Sequence, residues 1–433
     1  MHTPATFMDA YRPTLRGYRH MTSAGHYLAA QASFQVMEGG GNAIDGGVAA
    51  GITLGVVQSE LVGIAGVAPI IIYSAEEQRV VSISGLGTWP KSTDPDRFQQ
   101  AHPDGVPEGI MRCIIPAAPA AWIKALELYG TMTFAEVSAA AIRLAKHGFV
   151  MYALMAKLLE DKAEKYARWP QNAQIYLPDG HPPKVGEKFR QVDLGNSLQY
   201  MADCETGSNG ARAEGLRAAR DAFYKGDIAQ RIADYHHQNG GLIKMEDLED
   251  FEVEVEDALS VDVFGTKVYS CGPWCQGPML LQIMQLLQNA NFVTMGHNSA
   301  PYIHHVTEAV KLAAADRERW YGDPLFIDVP MNWLLSDAYV KQRRALIDPD
   351  KAWPGMPPSG DPDAELLEPN LAPLAALDTS YTCTVDAEGN IFFGHTIRYI
   401  VRRSDNSGLG LCALYSWLSI SLGSRSSLIY PAR

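Results

Sequence analysis

Five prolines, Pro357, Pro358, Pro362, Pro369 and Pro373, fall between Met356 and Ala376, with several acids among them. Proline fixes φ and has no N–H to donate, so neither a stable helix nor a central strand crosses such a stretch. The segment 355–378 therefore reads as an exposed, extended linker, and it divides the chain. Before it lie an N-terminal extension, 1–25, and a long region, 26–378, that ends with the linker itself. After it, 379–433 opens on Thr379–Val385, a run with many β-branched residues. The turn Asp386-Ala387-Glu388-Gly389-Asn390 and the apolar Ile391-Phe392-Phe393 follow. That pattern predicts a β-hairpin. Any fold this chain adopts must bring an acidic linker up to a strand whose first residue is a threonine.

Upstream, helical and extended segments mix. Tyr27–Met37 reads as a helix stopped by Gly39-Gly40-Gly41-Asn42, with Asn42 or Asp45 capping a Gly- and Ala-rich helix over Ala43–Val57. Pro69–Tyr73 and Arg79–Ile83 predict a hairpin. Ala117–Tyr129 and Phe134–His147 carry helical periodicity. The middle, Tyr152–Ser260, is mainly helical and includes Leu216–Gly226 and Asp227–His237. His236 and His237 complement a helix C-terminus and read as surface residues. Val261–Ser270 reads as one strand, and Leu280–Gln288 and Tyr302–Tyr321 as helices. Met279, Met284 and Leu287 are expected in the core. Asp316 and Arg317 are expected to pair on their helix.

Composition excludes several functions. Apolar residues make up 47% and charged residues 20%, the balance of a globular protein with a sizeable core. The net charge of −13 repels phosphate, so no nucleic-acid partner is expected. Gly85-Leu86-Gly87-Thr88 lacks the spacing and the following helix of a dinucleotide loop. Cys271 and Cys275 have no second pair nearby and read as buried thiols, so no metal is expected. No cofactor is implied. Val62–Tyr73 is too short to span a bilayer, and Met1–Gly25 has no apolar run, so a cytoplasmic location is expected.

A threonine at the head of a strand is ordinarily structural, but this junction allows a second chemistry. If the Thr379 hydroxyl attacks the Asp378 carbonyl, the peptide bond shifts to an ester and water splits it. Thr379 then becomes a new N-terminus. Its free α-amine titrates near about 7.7–8.0 and can act as general base for its own hydroxyl. One residue supplies both roles. Backbone donors, commonly glycine-rich, would hold the oxyanion.

At these residues the sequence resembles the γ-glutamyltransferases (γ-glutamyltranspeptidases), which are N-terminal-nucleophile hydrolases. Gly39-Gly40-Gly41-Asn42-Ala43-Ile44-Asp45 is similar to a helix start of that family. Tyr129-Gly130-Thr131-Met132, Phe223-Tyr224-Lys225-Gly226 and Asn239-Gly240-Gly241-Leu242-Ile243 with Glu246-Asp247-Leu248 are similar to its blocks in the same order. So are Ala315-Asp316-Arg317 and Tyr321-Gly322-Asp323-Pro324. Asp378-Thr379-Ser380-Tyr381, with Val385-Asp386 and Gly389-Asn390 behind it, resembles its self-cleavage site. The resemblance implies the α+β class, as an αββα sandwich of two stacked sheets, here incomplete towards the C-terminus. It implies a precursor cut into large and small subunits, with Asp378 ending the large one. Thr379 would be the nucleophile, transferring a γ-glutamyl or related acyl group from a small-molecule amide to water or an amino acid.

Two departures stand beside the resemblance. Leu86 falls nearest the place of the family arginine that holds the glutamyl α-carboxylate, and Lys91 is the nearby candidate substitute. A point charge does not replace a guanidinium fork, so an amide other than a γ-glutamyl compound is an alternative substrate. Secondly, only 55 residues run from Thr379 to the last residue, far fewer than in the family's small subunit. Gly423-Ser424-Arg425 lies too close to Thr379 to be the family's oxyanion glycines. Ile397 stands where the family sets a second threonine, one residue past Thr396, and takes no role. A truncation or a frameshift accounts for such a tail. Two alternatives follow: an active acylase-like enzyme, or an inactive remnant that keeps the fold.

Overall fold

The computed structural model describes residues 15–103, 105–208, 210–360 and 379–397. In chain order the main elements are β1 (Met21–Ala24), α1 (Tyr27–Glu38), α2 (Ala43–Val57), β2 (Ile70–Ser74), β3 (Arg79–Ile83), α3 (Ala118–Tyr129) and α4 (Phe134–His147). Helices α5 (Val192–Gly207), α6 (Arg212–Tyr224) and α7 (Asp227–Gln238) follow. Next come β4 (Val255–Asp257), β5 (Leu259–Val263), β6 (Thr266–Ser270), α8 (Gly277–Leu287), α9 (Ala300–Trp320) and α10 (Asp337–Arg344). The hairpin β7 (Thr379–Val385) and β8 (Ile391–Ile397) ends the described chain.

One six-stranded antiparallel sheet organises the molecule, in the order β1-β7-β8-β2-β3-β4. The hairpin read from the sequence after the linker thus sits at the centre of the sheet. Met21–Ala24, read above as part of an extension, is the sheet's edge strand. Strand side chains alternate between faces. Ile70, Ile72, Val81, Ile83 and Phe392 point into the main core with α2, α3 and α4. Ile71, Val80 and Phe393 point the other way, onto a smaller cluster with Val67, Ile114, Cys271 and Cys275. Helix α2 is apolar all round, and every one of its residues is buried between the sheet and its neighbours.

The start of α2 ties the sequence blocks together. Asn42 accepts the N–H groups of Ile44 and Asp45, and Asp45 returns a bond to Asn42 N at 2.9 Å, a complete capping box. Asp45 is fully buried and also accepts Thr131 N–H at 3.0 Å, the Thr131 hydroxyl at 2.7 Å and Met132 N–H at 3.1 Å. Asp386, in the β7–β8 turn, accepts Ala43 N–H at 2.9 Å and Asn390 N–H at 2.8 Å. The Thr384 hydroxyl donates to Ala43 O at 2.6 Å. A carboxylate at a helix N-terminus also suits the dipole.

Four expectations need correction. Val261–Ser270 is two strands, because Phe264 and Gly265 both take positive φ, 51° and 75°, and form a hairpin turn. His236 is buried, because the loop after α7 folds back and Ile243 donates its N–H to His236 Nδ1 at 3.3 Å. Asp316 is buried against the neighbouring helix and pairs there with Arg343 at 3.0 Å, while Arg317 binds Glu318 and the Gln276 side chain. Finally, the linker is not exposed along the whole of its described part. Pro357 and Ser359 are buried, Gly360 N donates to Asp316 at 2.9 Å, and Trp320 Nε1 donates to Gly360 O at 2.8 Å. The rest of the linker, with Asp378, and the tail from 398 onward lie outside the described residues. Among the described residues no helix is long and apolar enough to cross a membrane.

Candidate active site

Thr379 is the first residue of β7. Ser380, Thr382 and Thr384 are buried against the helical layer, so alternation sets Thr379, Tyr381, Cys383 and Val385 on the opposite face. Thr379 is half-buried there, and its hydroxyl lies 3.4 Å from Ser380 O. The ladder sets Thr379 across from Ile397 and Ser380 across from Thr396.

The residue after Thr379 is held firmly. The Ser380 hydroxyl donates to Gln58 Oε1 at 2.6 Å, and Gln58 Nε2 donates to Gly25 O at 3.2 Å. Tyr152, which donates to Glu60, packs its ring 4.8 Å from that of His26. His26 caps α1, with Nδ1 accepting Leu28 N–H at 3.2 Å. Gln58, Glu60 and His26 carry no role in the sequence reading. The available signal was the polar run Gln58-Ser59-Glu60, buried at the end of a wholly apolar helix.

Burial lowers the His26 pKa to about 4. The unfolded chain therefore holds a proton that the folded chain refuses, between about pH 6.5 and 4. Stability is full above that window and falls as the pH drops through it, by up to about 3 kcal/mol from this residue. His26→Asn keeps a capping oxygen and cannot titrate. Urea unfolding between pH 7 and 4 should show a shallower loss of stability in this variant; an unchanged slope would count against His26 as the source.

Leu86 is partly buried and packs on the apolar cluster of the outer sheet face, the face that carries Thr379. Lys91 does not substitute for an arginine there. Its ammonium pairs with Asp250 in an exposed ion pair, and its backbone N–H bonds Asp247 at 2.9 Å. Arg112 donates to the carbonyls of Val106 and Pro107 at 3.1 and 3.3 Å. It lines a cavity of about 1280 Å³ together with Glu60, Trp169, Tyr200 and Arg231. Thr379 is not in that lining. Cys271 and Cys275 are buried, and their mutual hydrogen bond and burial push the Cys275 thiol well above the usual range. Among the described residues no cluster of three or more potential metal ligands occurs.

Residues 29–392 match the family model described as Gamma-glutamyltranspeptidase. The chain is 30% identical over 376 residues to the glutathione hydrolase-like YwrD proenzyme of Bacillus subtilis, an alignment covering 86% of this chain and 66% of that protein. It is 30% identical over 388 residues to the acylase ACY 1 proenzyme of Pseudomonas sp. strain SE83, covering 87% and 64%. The chain thus spans a little under two thirds of the length of these relatives. A crystal structure of cephalosporin acylase from Bacillus halodurans superposes with a TM-score of 0.75 at 25% identity, over 92% of this chain and 69% of that one.

Proposed function

The chain belongs to the γ-glutamyltranspeptidase family, with its N-terminal-nucleophile hydrolase fold, and from that we propose a self-cleaving amidohydrolase or acyltransferase whose nucleophile is Thr379. The observation that carries this reading is the position of Thr379 itself. It opens an inner strand of the sheet, half-buried on the face opposite the packed helices, where its hydroxyl can meet a substrate. The names of both relatives as proenzymes support a precursor that is cut.

In the maturation step, Thr379 Oγ1 bonds to the Asp378 carbonyl carbon, the C–N bond breaks, and the nitrogen takes the hydroxyl proton. Water then hydrolyses the ester, giving fragments that end at Asp378 and begin at Thr379. The freed α-amine takes the hydroxyl proton when Thr379 attacks a substrate amide. It returns the proton to the leaving amine, and water or an amino acid discharges the acyl-enzyme.

The apolar setting of Leu86 supports an acyl arm without a free α-carboxylate, since a carboxylate buried there would lack a partner. The test is a mass measurement on the purified chain, followed by turnover of paired anilides. We expect two fragments, the smaller starting at Thr379. An aliphatic or aromatic acyl anilide should turn over faster than the γ-glutamyl anilide. A chain that stays whole and hydrolyses neither compound is an inactive remnant, and the proposal fails.

A further inference from the structure

Three residues at the start of β7 have little ladder support. On one side, β1 pairs with β7 only from Thr382 onward, where Ala24 stands opposite. Thr379, Ser380 and Tyr381 pair fully with β8 alone. Strand ends with one partner fray. The missing support comes from Gln58, the residue after the last turn of α2, only 5% exposed. Its amide oxygen accepts the Ser380 hydroxyl at 2.6 Å and its amide nitrogen donates to Gly25 O at 3.2 Å. Gly25 N donates to Tyr381 O at 3.1 Å. These bonds close a ring around the residue that follows Thr379. The ring is tight: a Cβ on residue 25 would stand 2.0 Å from Ser380 Oγ and 2.7 Å from Gln58 Oε1, so only glycine fits. The Gln58 backbone is itself held: its N–H donates to Leu54 O at 2.8 Å, and its carbonyl accepts the N–H groups of Leu61 and Val62 at 2.9 Å.

We infer that Gln58 is a positioning residue for the nucleophile: by gripping Ser380 it sets the line along which the Thr379 hydroxyl meets the peptide bond before it. This rests on Thr379 being the nucleophile. Gln58 touches no reacting atom. It acts through geometry, where a displacement of about 1 Å costs on the order of 10²-fold in rate.

The full-length chain tests this by timed mass spectrometry of scission, with Thr379→Ala as the control. Gln58→Ala and Ser380→Ala should each slow scission about 10²-fold. The double variant should be no slower than the slower single, because both remove the same bond. Hydroxylamine, which cleaves esters, should not restore scission in Gln58→Ala, since the defect precedes the ester; restoration overturns the inference. Amide exchange gives a second measurement that needs no scission. Ser380 and Tyr381 should exchange at least about 10-fold faster in Gln58→Ala, while Thr384 and Phe392 keep their protection. Even loosening of the whole sheet, or no change, refutes a local grip. Scission of Gln58→Ala at the wild-type rate, with Thr379→Ala whole, sinks the role of Gln58 and leaves the nucleophile standing. Scission in Thr379→Ala sinks the nucleophile instead. If the wild-type chain stays whole, self-cleavage fails and exchange alone decides the grip.

Discussion

Thr379→Ala is expected to leave a single uncut chain and no amide turnover, with scission slowed at least about 10⁴-fold. The size follows from the economy of the proposed mechanism, in which the same residue would be nucleophile in maturation, nucleophile in turnover and, through its α-amine, the base. Thr379→Ser separates these roles from shape. It keeps the hydroxyl and the amine but loses the methyl that restricts χ1. Scission should persist, slowed by about 10-fold as the hydroxyl samples unproductive rotamers. Intact mass over a time course reads both. An alanine variant that is cut between residues 378 and 379 at the wild-type rate would end the threonine mechanism.

How much of this was legible depended on whether the signal was local. Helix α2 could be read to its ends because its cap, Asn42 with Asp45, and its apolar run are contiguous. The β7–β8 hairpin was equally plain, since β-branched residues flank a turn with Gly389 in it. Errors arose where tertiary contacts decide. Phe264 gives no warning that it will take positive φ, so Val261–Ser270 looked continuous. His236 looked exposed because its helix end is charged; the loop that buries it returns only at Ile243. Asp316 has an arginine beside it in sequence, yet its partner, Arg343, lies on another helix. Gln58 reaches Ser380 across more than three hundred residues of sequence, a pairing no spacing rule could reveal. The proposed site followed the same division: Thr379 stood out through the resemblance of its sequence block to a family, and Gln58, which holds Ser380, did not.

The largest stability effect should come from Asp45→Ala. Asp45 is where two separated sequence blocks meet: one carboxylate accepts from Asn42 N, Thr131 N, the Thr131 hydroxyl and Met132 N. It is fully buried. Removing it strands these donors away from water, at about 1–3 kcal/mol for each group left unsatisfied. Partial relaxation and entry of water reduce the sum, so a loss of about 3–5 kcal/mol is expected. That is a large share of the 5–15 kcal/mol typical of a folded domain. Asp45→Asn should lose less, because one oxygen still accepts while its NH₂ group faces the remaining donors. Urea unfolding with an unchanged m-value would measure both, with Asp250→Ala as the comparison. Asp250 pairs with Lys91 at the surface, where an ion pair contributes little, so no measurable shift is expected there. The consequence reaches the site through α2. Ala43, two residues before Asp45, holds Asp386 and Thr384 of the β7–β8 hairpin. Scission at Thr379 should therefore fall in proportion to the folded fraction in Asp45→Ala, and recover when the temperature is lowered enough to refold it. Scission that stays low in fully refolded protein would mean that Asp45 shapes the site directly rather than through stability.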